Sequence, residues 1–205
     1  MKRALALGVT IVTTLVLAGC NQVNPRPSPS GGETSSATPT PTPTVEPLTL
    51  VDCETLLPLA LASTVIVSDQ PLVYLGEFPA TDFFGFSGLP EVTAALTDSP
   101  QAKMCSWQVT NAEHGGGMRL HVAEVTPETR AAIEAALAPA GFSSAIYGPV
   151  TSYDRATEYD EGSTDETLLF TGDLWIMCNS SGGPCSDGAW FALDALRIAN
   201  PTLGL

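Results

Sequence analysis

A stretch of Pro, Ser, Thr and Gly limits where this chain can fold. It runs from Asn21 to about Pro47, has scarcely an apolar side chain and includes an alternating Thr-Pro run at 38–44. Such a composition cannot bury enough apolar surface to form a core. Pro-rich chain prefers extended polyproline II at about 3.1 Å per residue. The sequence therefore predicts one globular domain over 48–205, held on a tether of up to roughly 80 Å.

The segment before the tether has the parts of a secretory signal, namely a basic start, a short apolar run and small residues ahead of Cys20. The run is shorter than the ~20 residues of a spanning helix, which predicts a cleaved signal peptide over 1–19. Leu17-Ala18-Gly19-Cys20 resembles the lipobox of bacterial lipoproteins, whose cysteine is diacylated and becomes the new N-terminus. The resemblance implies lipid attachment at Cys20, a lipidated tether over 20–47 and a place on the outer face of the cell membrane. An ordinary signal peptide with an incidental cysteine is the alternative.

The charge of the chain excludes some partners. Eight basic and 22 acidic residues give a formal charge of −14, and removing 1–19 takes away two basic residues, leaving 6 − 22 = −16. Such a chain lacks the cations that displace phosphate counterions, and anionic headgroups repel it. We expect no nucleic-acid partner, and membrane contact only through the lipid on Cys20.

The domain contains four cysteines, an even number in an exported chain, where disulfides persist. Spacing favours the pairs Cys53–Cys105 and Cys178–Cys185, of which the second closes a short loop rich in turn formers. Free buried thiols are the alternative.

Residue patterning predicts a mixed α+β domain. Alternating apolar residues over 104–111 and 118–125, on either side of a glycine turn, predict a hairpin with one buried face. Capping residues and prolines predict helices near 52–57, 90–96, 126–138 and 187–199, and strands are expected near 72–75, 145–147, 152–157, 167–170 and 174–178. The predicted fold is an antiparallel sheet with helices packed on one face and two disulfides.

Two short motifs give the domain a family resemblance. Asp52-Cys53 is followed by Leu56-Leu57, and Cys105-Ser106-Trp107 opens a strand of the hairpin. Together with the lipobox and tether, this arrangement resembles a family of actinobacterial lipoproteins of unknown function. Here Val51-Asp52 stands where an Asp-Pro pair often precedes the first cysteine. The resemblance implies the Cys53–Cys105 disulfide and a compact α+β domain, and no known reaction.

Motifs for catalysis are incomplete in this sequence. The segments 85–89 and 184–188 each miss the Gly-x-Ser-x-Gly nucleophile elbow by one residue. His114 lies in a glycine turn and His121 on the solvent-side parity of a strand, and neither has a metal or nucleophile partner by spacing. We therefore expect no catalytic residue, no cofactor and no metal site.

Two other features could form a site. Six carboxylates over 154–166 are of the kind that Ca²⁺ prefers, but their spacing fits no EF-hand and a solvated turn is the favoured interpretation. A segment rich in Phe and Gly carries Phe78, Phe83, Phe84 and Phe86, which either line a ligand or partner surface or fill the core under a loop.

These features favour a lipid-anchored, non-enzymatic domain that binds a small ligand, a wall component or a partner protein. The alternatives are an envelope spacer and a hydrolase that uses paired carboxylates of the acidic segment. A binder should expose a concave patch over 78–86, and a hydrolase should bring two carboxylates into one pocket with a raised pKa. A spacer should show neither.

Overall fold

The computed structural model describes residues 46–80, 88–111, 116–160 and 162–205. They belong to one compact unit, Pro43–Leu205. The predicted signal peptide, Cys20, nearly all of the tether and His114 lie outside the described residues. The described strands are β1 (Leu72–Phe78), β2 (Ala102–Val109), β3 (Gly117–Glu124), β4 (Ser143–Tyr147), β5 (Val150–Tyr159), β6 (Gly162–Thr171) and β7 (Leu174–Ser181). The described helices are α1 (Cys53–Leu56), α2 (Leu59–Val65), α3 (Pro90–Asp98), α4 (Pro127–Leu137) and α5 (Ser186–Ala199).

The strands form one antiparallel sheet in the order β1-β2-β3-β7-β6-β5-β4. The predicted hairpin is β2 and β3, in which Cys105 lies opposite Leu120 and Trp107 opposite Met118. β7 pairs with β3 on one side and β6 on the other, so it joins the two halves of the sheet. The predicted antiparallel α+β fold is confirmed. None of the described helices has the length and apolar character needed to cross a membrane.

The helices are distributed over both faces of the sheet, whereas the sequence predicted one face. Neighbouring residues of β7 join different cores, Ile176 one and Trp175 the other. The first core also contains α1, α2 and α5, and we call this side the α5 face. The second contains α3 and α4, and we call it the α4 face. Because central strands are buried on both sides, their alternation does not show how many faces helices cover.

The first disulfide joins α1 to the hairpin. The Asp52 carboxylate caps α1 by accepting a hydrogen bond from the Thr55 N–H at 2.8 Å. This start places Cys53 over β2, where its Cα lies 5.6 Å from that of Cys105. The second disulfide joins Cys178 of β7 to Cys185, directly before α5. Both predicted pairings are confirmed.

His121 is buried, which corrects its predicted place on a solvent-facing side. It is 1% exposed, and its neighbours in register are Met104 of β2 and Met177 of β7. The alternation along β3 is as predicted, but the α4 face contains a core of its own. Burial, with a smaller effect from the Arg119 charge, lowers the pKa of His121 from its ordinary 6.5 to about 3.

We expect acid to destabilise the protein through His121. Because its pKa is lower in the folded state, the unfolded chain binds a proton between pH 6.5 and about 3 that the folded chain does not. The contribution of His121 to stability is therefore complete above pH 6.5 and falls by up to roughly 1.4 kcal/mol per pH unit on acidification. His121→Leu removes the titrating group, and with it this loss of stability in acid, and places an apolar side chain between Met104 and Met177. Thermal unfolding measured from pH 7.5 to 4.5 should show the Tm of the variant rising relative to that of the wild type as the pH falls. A Tm difference that does not change with pH would contradict the prediction.

Candidate ligand-binding cleft

A cleft of about 510 Å³ opens on the α5 face, between strands β4, β5 and β6 and the first turn of α5. Helix α5 packs against β7 and β6, and the edge strand β4 stays largely exposed. The gap between the helix and the sheet edge therefore remains open. The side chains that give the cleft its chemistry are those of Tyr147, Asp154, Asp165, Thr167, Asp187 and Trp190.

The short disulfide loop fixes one wall of the cleft. Cys178 lies opposite Thr167 of the cleft floor in register, and its disulfide partner directly precedes α5. Within the loop, the Ser180 hydroxyl donates a hydrogen bond to the Gly183 carbonyl. The Val67 N–H donates to the Gly182 carbonyl at 3.3 Å. The disulfide thus joins the start of α5 to β7, while the two hydrogen bonds fix the loop between them.

Two aromatic rings lie beside this polar floor. Tyr147 ends β4 and Trp190 lies in the second turn of α5, and their rings meet edge to face with centroids 5.4 Å apart. Tyr147 is 57% exposed, while Trp190 packs partly against the core. Exposed aromatic surface next to polar groups can stack on a ligand or hold a cation over the ring.

The carboxylates of the cleft differ in their surroundings. The Asp154 side chain accepts hydrogen bonds from the Ser152 hydroxyl at 2.8 Å and the Thr167 hydroxyl at 2.6 Å. Burial raises the pKa of Asp165. Asp187 lies exposed in the first turn of α5. Within the described part of the chain, neither Asp165 nor Asp187 forms an ion pair, and Arg155, which also lines the cleft, is paired with Glu166.

A buried ion pair joins the two floor strands from the α4 face. The Arg155 Nε donates to Glu166 Oε2 at 2.7 Å, and Nη1 donates to the Ala140 carbonyl at 3.0 Å. The guanidinium carbon also lies 4.4 Å from the centre of the Phe142 ring. Glu166 is 4% exposed. The acidic segment is therefore not simply a solvated turn, because the strand alternation sends its side chains into two different environments.

The calcium interpretation gains no support from these positions. Asp154 and Asp165 lie on the α5 face, whereas Glu166 lies on the α4 face with Arg155. Among residues 46–80, 88–111, 116–160 and 162–205, no three His, Cys, Asp or Glu side chains are placed to hold a metal ion.

Phe78, the described residue of the predicted aromatic surface, lies away from the cleft. Phe78 is half-buried at the end of β1, the edge strand opposite β4. Phe83, Phe84 and Phe86 lie outside the described residues, so a ligand surface there stays a prediction. Tyr147, Asp187 and Trp190 line the cleft but were not predicted as site residues. The signal for the last two was an acid and an aromatic three residues apart at the start of a helix, directly after a disulfide loop.

Comparison with known proteins adds no assignment. No protein-family model, curated protein or solved structure matches this chain. The resemblance to actinobacterial lipoproteins rests on the sequence motifs alone.

Proposed function

We propose that this domain binds a small cationic ligand in the cleft at the start of α5. The observation that carries the proposal is the position of Asp165 and Asp187, two carboxylates that form no ion pair with any described residue, beside the rings of Tyr147 and Trp190. An ammonium group would donate charge-assisted hydrogen bonds to the carboxylates and lie over an aromatic face. The cleft volume of about 510 Å³ is also in the range of small-molecule sites.

We further propose that the domain works outside the cell, anchored by lipid at Cys20. The signal-peptide pattern, the lipobox and the tether support this position, and two disulfides are typical of exported proteins. Ligands there would include wall components or solutes that carry an amino group, or an envelope protein. Metabolic labelling with a fatty-acid analogue tests the anchor, because the label should be present in the wild type and absent from Cys20→Ala.

Titration with a matched pair of sugars tests the ligand class. At pH 6 glucosamine is largely cationic, whereas N-acetylglucosamine is neutral, so we expect glucosamine to bind at least tenfold more tightly to the full-length protein. Trp190 fluorescence should report binding, since Trp107 and Trp175 are buried. Asp187→Asn should weaken glucosamine binding about tenfold, because a charge-assisted hydrogen bond is lost.

Helix α5 supplies the control for this experiment. Asp194 is exposed and pairs with Arg197 at 3.2 Å, away from the cleft lining. Asp194→Asn makes the same charge change in the same helix, so glucosamine affinity should stay within about twofold. Equal losses in the two variants, or equal affinity for the two sugars, would refute a cation site in the cleft.

A hydrolase is the second candidate, because two carboxylates of different character line one cleft. The raised pKa of Asp165 suits a general acid, and Asp154, held by two hydroxyls, suits a base. They are diagonal neighbours on β5 and β6, so both side chains lie on the same face of the sheet and line the same cleft. New sugar signals in NMR spectra of a glucosamine oligosaccharide, dependent on both aspartates, would favour this candidate over binding alone.

A further inference from the structure

A second polar pocket lies on the α4 face, on the other side of the sheet from the cleft. It has a volume of about 130 Å³ and is lined by Ser106, Gln108, Arg119 and Asn179, among others. The strand register places Ser106, Arg119 and Asn179 side by side across β2, β3 and β7. Residues aligned in this way point to the same face. Three hydrogen-bond donors therefore surround one small space.

Arg119 differs from the other cations of the domain. Four of the five Lys and Arg residues in the described ranges form ion pairs: Lys103 with Glu77, Arg130 with Glu134, Arg155 with Glu166, and Arg197 with Asp194. Arg119 is exposed and forms no ion pair or hydrogen bond with any described residue. Because the chain has 22 acidic residues, partners are abundant elsewhere on its surface. Among the described residues, none occupies the guanidinium, which an anion from solution could therefore bind.

The neighbours of Arg119 also have unused hydrogen-bonding capacity. Ser106 is only 8% exposed, yet its hydroxyl makes no hydrogen bond to the described part of the chain. The half-buried Asn179 carboxamide likewise has no partner among those residues. Neither polar group is sealed from solvent, so a ligand that enters the pocket can reach both of them.

We propose that this Arg119 pocket binds a small oxyanion, a carboxylate or phosphate group. The planar guanidinium matches either group through two parallel hydrogen bonds. The Asn179 amide and the Ser106 hydroxyl would donate to the remaining oxygen atoms. The small volume admits such a group with few attached atoms. This site is independent of the cation cleft, since the two lie on opposite faces and have opposite charge.

NMR titration of the full-length protein tests this site with sodium acetate and with sodium phosphate, using sodium chloride at matched ionic strength as the reference. We expect the Arg119 Nε–Hε and Asn179 amide signals to shift to saturation at millimolar concentrations of one anion. Whichever anion saturates first identifies carboxylate or phosphate as the source. Shifts that never saturate, or that equal those in chloride, would overturn the proposal.

The dissociation constants of variants test whether the anion binds in this pocket. Arg119→Gln should raise the dissociation constant at least tenfold and Ser106→Ala several-fold. Arg197→Gln removes the same charge from a paired arginine outside the pocket and should change it less than twofold. Arg119→Lys keeps the positive charge but loses the planar guanidinium that forms two parallel hydrogen bonds, so it should bind the anion several-fold more weakly. This variant provides the test if Arg119→Gln does not fold. Wild-type affinity in both Arg119 variants would overturn the assignment.

Discussion

Removing the disulfide between Cys53 and Cys105 is expected to lower the free energy of unfolding by about 4 kcal/mol. The two cysteines are 52 residues apart, and the entropy that a crosslink removes from the unfolded chain grows with the logarithm of loop length. Both side chains lie in the core beside α5. For a domain of this size, that loss corresponds to a fall in Tm of roughly 8–16 °C. Thermal and urea unfolding of Cys53→Ala/Cys105→Ala measure it.

The second disulfide is the internal control for this prediction. Cys178 and Cys185 are only 7 residues apart, so the same model gives about 2.4 kcal/mol for Cys178→Ala/Cys185→Ala. Both pairs are buried, so each double variant removes two buried sulfurs. The difference between the variants therefore reports mainly on loop length. A larger loss from the short loop would show that local packing around α5, rather than chain entropy, dominates.

Local signals in the sequence predict most elements of this fold. Asp52 and Thr126 each cap the helix that follows, and the Thr126 hydroxyl accepts a hydrogen bond from the Thr129 N–H at 3.2 Å. The alternation along β2 and β3 predicts the buried side of the hairpin, and cysteine spacing predicts both disulfides. These features depend on neighbouring residues or on a compact hairpin, so a single sequence can reveal them.

Long-range pairing is what the sequence does not reveal. The contact of β3 with β7 joins segments about 60 residues apart, and it buries His121 against Met177. The cleft has the same origin, because Tyr147, Asp165 and Trp190 come from three elements that form no motif along the chain. Each residue has an ordinary local explanation as a strand end, an acidic turn or a helix core position. They line one cleft only when α5 docks on the sheet.

The Arg155–Glu166 pair links β5 to β6 beneath the cleft, on the α4 face. Arg155→Met keeps the hydrophobic stem but leaves the Glu166 carboxylate buried without its arginine, so we expect a loss of about 3–5 kcal/mol in unfolding free energy. The exposed pair of Arg197 and Asp194 provides the comparison, and Arg197→Met should cost less than about 1 kcal/mol.

A double variant separates the buried charge from the loss of shape. In Arg155→Met/Glu166→Leu no charge remains to be desolvated, and buried ion pairs are often replaced by apolar pairs without loss, so most of the stability should return. If the double variant is as unstable as Arg155→Met, the hydrogen bond from Arg155 to Ala140 and the contact with Phe142 hold the strands instead. Urea unfolding of the three variants distinguishes these outcomes. In the first case, an apolar pair stabilises the sheet as well as the ion pair does.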